Sequence, residues 1–262
     1  MGARVRLPRA PLGDLLTPLL AALAAGALFA RGFARARGRG FLREAGWDRA
    51  ALFAAGILAG LGGLVLLHEA AEQRASAHML QHVLVGDLAP ALVLVALRGP
   101  LLFAVVPRFM RRLLATRPAR LVLRPGPSLA LWAALLWAWH IPFIYDAALA
   151  HPSLHVLEHT CFLLGGLLLW NQLADPARRR TLSLWGSLGY ALAAMVVAQM
   201  LVAALVVSYR PLYAYGSVSD QSLAGLIMAL EQFATLGAFA FFRLRSHFRL
   251  PLALGDGHPL RV

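Results

Sequence analysis

The sequence predicts an all-α, polytopic integral membrane bundle of about seven helices, on three observations. Of its 262 residues, 60% are hydrophobic and 14% charged, against about 25% charged in an ordinary soluble domain. Apolar runs reach the roughly 18 residues that mark a membrane-spanning helix. These runs and their short connections use up the length, which leaves one transmembrane domain over 1–262 and no room for a sizeable soluble one.

Seven stretches carry the spanning pattern, near 15–30, 50–67, 78–97, 128–145, 155–173, 184–209 and 220–242. The first is short and holds Pro18. It follows Arg4, Arg6 and Arg9, as a secretory leader would. However, Asp14 interrupts the apolar core that a leader would need, and no A-x-A cleavage site stands out from the alanine-rich run before Arg31, so it reads as a span. Residues 101–116 mix apolar side chains with Arg108, Arg111 and Arg112, the composition of an amphipathic helix lying on the membrane surface.

Charge sets the orientation. The net charge is +13 and every basic residue is arginine. On this reading twenty arginines fall in the connections after the first, third and fifth spans and in the C-terminal tail, and five on the other side. The positive-inside rule then puts the N-terminus outside and the C-terminus in the cytoplasm. Such a basic balance in a soluble chain would point to nucleic acid. Here the arginines flank apolar spans, so the partner they imply is anionic lipid, not nucleic acid. The single cysteine, Cys161, excludes an intrachain disulfide and a paired-cysteine metal site.

Seven of the nine histidines map to the outer ends of the spans: His68, His78, His82, His140, His151, His155 and His159. His247 and His258 lie in the tail. His78/His82 and His155/His159 are i, i+4 pairs, so each pair shares one helix face. Two imidazoles a turn apart can chelate one ion, and imidazole suits copper, zinc, iron and nickel. With His140 they form a candidate metal site of five ligands. Met79 and Cys161 are nearby soft donors but fall on other helix faces. A lone interfacial histidine is ordinary headgroup-level polarity, which is the reading for His68 and His151. The run His68-Glu69-Ala70-Ala71-Glu72 has Glu72 where a zinc-protease motif needs its second histidine, and is set aside.

Asp87 and Glu231 fall near the bilayer middle, about 13 Å below His78 and about 16 Å below Asp220 at 1.5 Å per residue. Buried there, they are expected to face the bundle interior and to pair, in a structural hydrogen bond or on a proton or ion path. Gln81, Gln199 and Gln232 are candidate interhelical hydrogen-bonding partners.

The sequence resembles the CtaG-type family of cytochrome c oxidase assembly factors. The resemblance rests on His78-Met79-Leu80-Gln81-His82 with Leu88-Ala89-Pro90, then Trp139-His140-Ile141-Pro142 with Tyr145-Asp146. It continues in His155-Val156-Leu157-Glu158-His159 ahead of Trp170, and in Asp220-Gln221 with Ala224-Gly225 and Met228. Ala224 stands where the family often has a second glycine, and Ala229 where it has a tryptophan. The resemblance implies a seven-helix, multi-pass protein of the bacterial plasma membrane. It would work with oxidase subunits and handle copper for the oxidase, as an assembly factor and not an enzyme. Two alternatives stay open on the residues themselves. One is a haem-binding electron-transfer protein with His78/His155 or His82/His159 as axial ligands. The other is a metal-dependent membrane enzyme with Glu158, Asp146 or Asp220 as general base.

Overall fold

The computed structural model describes residues 12–214 and 216–248. Arg4, Arg6, Arg9, Arg249, His258 and Arg261 lie outside the described residues. The architecture is all helical, with no strand among the described residues. Among the described residues six helices are long and apolar enough to cross a membrane, or seven if one bent pair is a single span.

Helix α1 (Leu12–Gly38) runs alongside α2 (Trp47–Leu61), where Phe29 stacks on Phe53 at 4.1 Å between ring centroids. A π-helical turn, Gly62–Leu66, ends α2, and the short α3 (His68–Ala71) turns the chain back. The third span is composite. It comprises α4 (Ala75–Val83), a second π turn (Leu84–Leu88) and α5 (Ala89–Ala96). This span is the most enclosed, with 67% of its apolar window buried against 17% for α2. It is therefore the axis of the bundle.

Two expectations need correction. Residues 101–116 are not one interfacial helix. Pro107 has no amide hydrogen to donate, and the segment divides into α6 (Pro100–Val105) and α7 (Arg108–Leu114), followed by α8 (Arg117–Val122). Residues 128–145 are not one straight span either. Helix α9 (Pro125–Trp139) ends at His140, and α10 (Pro142–Ala150) leaves at 72°. Pro142 forces the break, because the residue before a proline is pushed out of the helical region. Ile141 sits at φ −64°, ψ 126°.

Three long helices complete the bundle: α11 (Pro152–Ala174), α12 (Leu184–Val207) and α13 (Val218–Phe248). Large apolar side chains such as Leu66, Trp185 and Leu230 point outward, at 82%, 69% and 73% exposure. Gln81, Glu158, Gln172 and Gln232 are buried. That inversion of the soluble pattern is what a lipid solvent demands.

Small residues set the closest crossing. A Cβ added at Gly166 of α11 would overlap the carbonyl of Gly86 in the second π turn, and one at Gly86 would stand 3.1 Å from the Cβ of Phe162. Only glycine lets the two backbones approach so far. The crossing presses the α4 histidines against those of α11.

Candidate metal centre

The site forms where α4 and α11 face each other near the ends of the helices remote from the arginine-rich connections. His78 and His82 project from α4, and His155 and His159 from the first turns of α11. Their rings pack edge to face: 4.2 Å between the centroids of His78 and His82, 5.2 Å between His78 and His155, and 5.3 Å between His82 and His159. His140, at the broken end of α9, lies 6.0 Å from His82. The five candidate ligands thus converge on one region, although His140 stands at its edge.

At the centre is a residue that the histidine pattern did not single out as a ligand. Glu158 is fully buried, and its two carboxylate oxygens each lie 3.5 Å from an imidazole Nε2, one of His78 and one of His82. This is ion-pair range but long for a hydrogen bond. It is close to the separation of two donors on one ion. Ligands about 2.0–2.1 Å from a tetrahedral ion stand about 3.3 Å from each other. Two sets of donor atoms lie within 4.8 Å of one another, His78/His155/His159 and His78/His82/Glu158, sharing His78. The spacing Glu158-His159 on α11 was the available signal. It places a carboxylate one position before a paired histidine, but whether it faces α4 depends on how α11 is rotated.

Hydrogen bonds fix two of the imidazoles. Nδ1 of His159 lies 3.0 Å from the carbonyl of His155, and Nδ1 of His140 lies 2.8 Å from that of Leu136. A carbonyl only accepts, so Nδ1 must carry the proton in both rings and Nε2 is left with its lone pair. Neither Nε2 has a protein partner. An imidazole whose far nitrogen is anchored to a carbonyl is oriented as metal ligands usually are.

The walls are aromatic. Tyr145 packs on His78 at 5.1 Å, Phe162 on His82 at 4.2 Å, and Tyr213 stacks on Tyr145 at 3.9 Å. Tyr213 belongs to the loop between α12 and α13, and its hydroxyl donates to the carbonyl of His140 at 3.4 Å. Burial, together with the charges of Asp146 and Glu158, pushes the Tyr213 phenol above its ordinary range, so it remains a donor.

The other acids suggested as bases are engaged elsewhere. Asp146 accepts from the amide of Ala214 at 3.0 Å. Asp220 accepts from the amide of Ala75 at 2.7 Å and the hydroxyl of Ser76 at 2.5 Å. Asp220 therefore places a carboxylate at the N-terminus of α4, where the helix dipole favours it. His68 pairs with Glu72 at 3.5 Å, its ring 6.5 Å from His155. His151 is exposed at the start of α11, and Cys161 packs against the apolar core.

Below the histidines a cavity of about 40 Å³ is lined by Met79, His82, His140, Asp87, Glu231 and Gln232, among others. Both mid-membrane acids face inward. Asp87 accepts a hydrogen bond from the indole of Trp170 and lies within hydrogen-bonding reach of Glu231. An uninterrupted helix would set Asp87 about 140° around the axis from His82, and the extra residue of a π turn takes back about 100° of that. The π turn at Leu84–Leu88 thus keeps Asp87 on the interior side. Gln199 donates to Gln232 across α12 and α13 at 3.3 Å, while Oε1 of Gln81 has no protein partner.

A family model described as cytochrome c oxidase caa3 assembly factor (Caa3_CtaG) matches residues 27–249. No curated protein and no solved structure matches the chain.

Proposed function

The chain belongs to the caa3 cytochrome c oxidase assembly factor family, and from that premise we propose that it handles copper for the oxidase through the cluster of His78, His82, His140, His155, His159 and Glu158. The observation that carries the reading is the meeting of buried imidazoles from α4 and α11 around one buried carboxylate. Imidazole is a good copper ligand, and neutral rings bind without a proton to displace from Nε2.

Charge favours the cuprous ion as cargo. Neutral imidazoles with one Glu158 carboxylate carry a single negative charge. Cu(I) brings the assembly to neutrality, whereas a divalent ion leaves an uncompensated charge in a poorly solvated interior, which is costly. Glu158 is on this view both ligand and counter-charge. His140 and Met79 line the small cavity beneath and offer donors on the way out of the tight groups.

The rival readings find less support. A haem would have to part His78 from His155 or His82 from His159, and those rings are packed edge to face on each other, with Tyr145 lying over His78 and Phe162 over His82. A hydrolytic enzyme needs a free base beside the metal. Asp146 and Asp220 are occupied by backbone amides, and Glu158 sits within the ligand cluster itself.

The test is metal analysis of the purified full-length protein in detergent, with and without added Cu(I) under reducing conditions. One copper per chain, lost in His82→Ala and in His159→Ala, is the expected result. Copper at the level of a detergent blank would overturn the reading.

A further inference from the structure

At the arginine-rich end of the bundle lies a cavity of about 810 Å³. It opens between the last turns of α1, the α6–α7 segment and the loop after α11. Six guanidinium groups line it: Arg31 and Arg35 from α1, Arg39 from the turn that follows it, Arg108 and Arg111 from α7, and Arg178 from the loop. No carboxylate is among the lining residues. Among the described residues none of the six side chains has a hydrogen-bond acceptor or an ion-pair partner, and Nε of Arg111 is buried without one. Asp175, in the same loop as Arg178, is taken up by the amides of Arg179 and Arg180 at 2.8 and 2.9 Å.

The fold concentrates this charge. Arg31 and Arg35 are spaced i, i+4 on one face of α1, and Arg39 continues that row in the turn just past its end, where its amide bonds the carbonyl of Arg35; like charges so placed repel. Helix α1 lies against α6 at Gly32, where an added Cβ would stand 2.7 Å from the Cα of Val105. That contact brings the arginine row of α1 up to the arginines of α7. Such a cluster calls for an anion with several acceptor oxygens, and guanidinium matches phosphate in geometry. The remaining wall is apolar, with Phe41 and Phe103 41% and 49% exposed. A free phosphate has no use for that wall, and the cavity is far larger than one phosphate.

We propose that this cavity binds the headgroup of an anionic phospholipid. Its phosphate oxygens are held by the arginines and its first apolar atoms lie against Phe41 and Phe103. The lipid neutralises the repulsion along α1 and ties α1 to the loop after α11 through Arg178. The site is independent of the histidine cluster and of any metal bound there.

The experiment uses the purified full-length protein in nonionic detergent. Native mass spectrometry counts retained cardiolipin, phosphatidylglycerol or phosphatidylcholine, and thermal unfolding follows each lipid and inorganic phosphate. Wild type is expected to retain cardiolipin and phosphatidylglycerol well above phosphatidylcholine and to unfold at a higher temperature with them. Phosphate is expected to leave that temperature unchanged. Replacing Arg31, Arg35 and Arg111 together by glutamine should weaken retention on the order of a hundredfold, at about fivefold per arginine. Arg74→Gln with Arg210→Gln, at the other end of the bundle, should retain lipid as wild type does. If the triple variant does not accumulate, Arg111→Gln alone should weaken retention about fivefold. Equal retention of phosphatidylcholine by wild type, undiminished retention by the variants of Arg31, Arg35 and Arg111, or equal stabilisation by inorganic phosphate would overturn the proposal.

Discussion

Nε2 of His78, on α4, and Oε2 of Glu158, on α11, face each other at 3.5 Å with neither side chain exposed to solvent. The same carboxylate reaches His82 through its other oxygen. One acid therefore bridges both members of a histidine pair from across the helix interface, and its replacement tests the charge argument directly.

Glu158→Gln keeps the volume and removes the charge. Cu(I) affinity of the purified variant, read by competition with a chromogenic chelator, is expected to fall about 10- to 100-fold, the equivalent of about 1.5–3 kcal/mol for a charged partner. An unchanged affinity in a folded variant would remove Glu158 from the site.

Loss of either histidine of an i, i+4 pair should act on the oxidase and not on this protein. His82→Ala and His159→Ala are expected to accumulate normally, because alanine is a good helix former and is tolerated in a membrane helix. Oxidase activity and copper content in the membranes should drop, with partial recovery on added copper. His247→Ala, at the exposed end of α13, is the control. Full oxidase copper in both outer mutants, at normal levels of this protein, would end the copper-handling reading.

The crossing at Gly86 and Gly166 is expected to be intolerant of a single added methyl group. Gly166→Ala should destabilise the bundle by about 1–3 kcal/mol, as overpacking does, and separate α4 from α11. The checks are thermal unfolding and copper stoichiometry on the same preparation. A variant as stable as wild type would mean that the helices do not meet this closely.

Asp87 is expected to act as a hydrogen-bond acceptor for Trp170. Asp87→Asn preserves an acceptor oxygen and should support wild-type oxidase levels. Asp87→Leu leaves a buried indole N–H unpaired at a cost of about 1–3 kcal/mol, and should lower the amount of protein. Impaired maturation in Asp87→Asn at normal protein level, shared by Glu231→Gln, would point instead to a proton carried by the pair.

The arginine distribution predicts an N-terminus outside and a C-terminus in the cytoplasm. A reporter fused after Val262 should behave as cytoplasmic, which puts the histidine cluster on the outer side. Activity of a reporter that works only outside the cytoplasm would invert the assignment.

The class of fold, the approximate spans and the pairing of histidines at one end of the bundle are legible in the amino-acid order alone. These are local properties. Hydropathy is summed along the chain, and an i, i+4 spacing fixes a shared face within one helix whatever surrounds it. Where a proline removed a donor, at Pro107 and Pro142, the break was also written in the chain, but apolar runs continuing across it hid the change of direction. Which faces meet is a matter of packing between helices. The rotation of α11 that turns Glu158 onto His78 and His82 is set by contact with Gly86 at Gly166, a pairing of residues eighty positions apart. The π turn that brings Asp87 to the interior, and the capture of Asp146 and Asp220 by distant backbone amides, have the same origin. Each depends on packing between helices, where a small residue or an unpaired amide on one element selects the face that its neighbour presents.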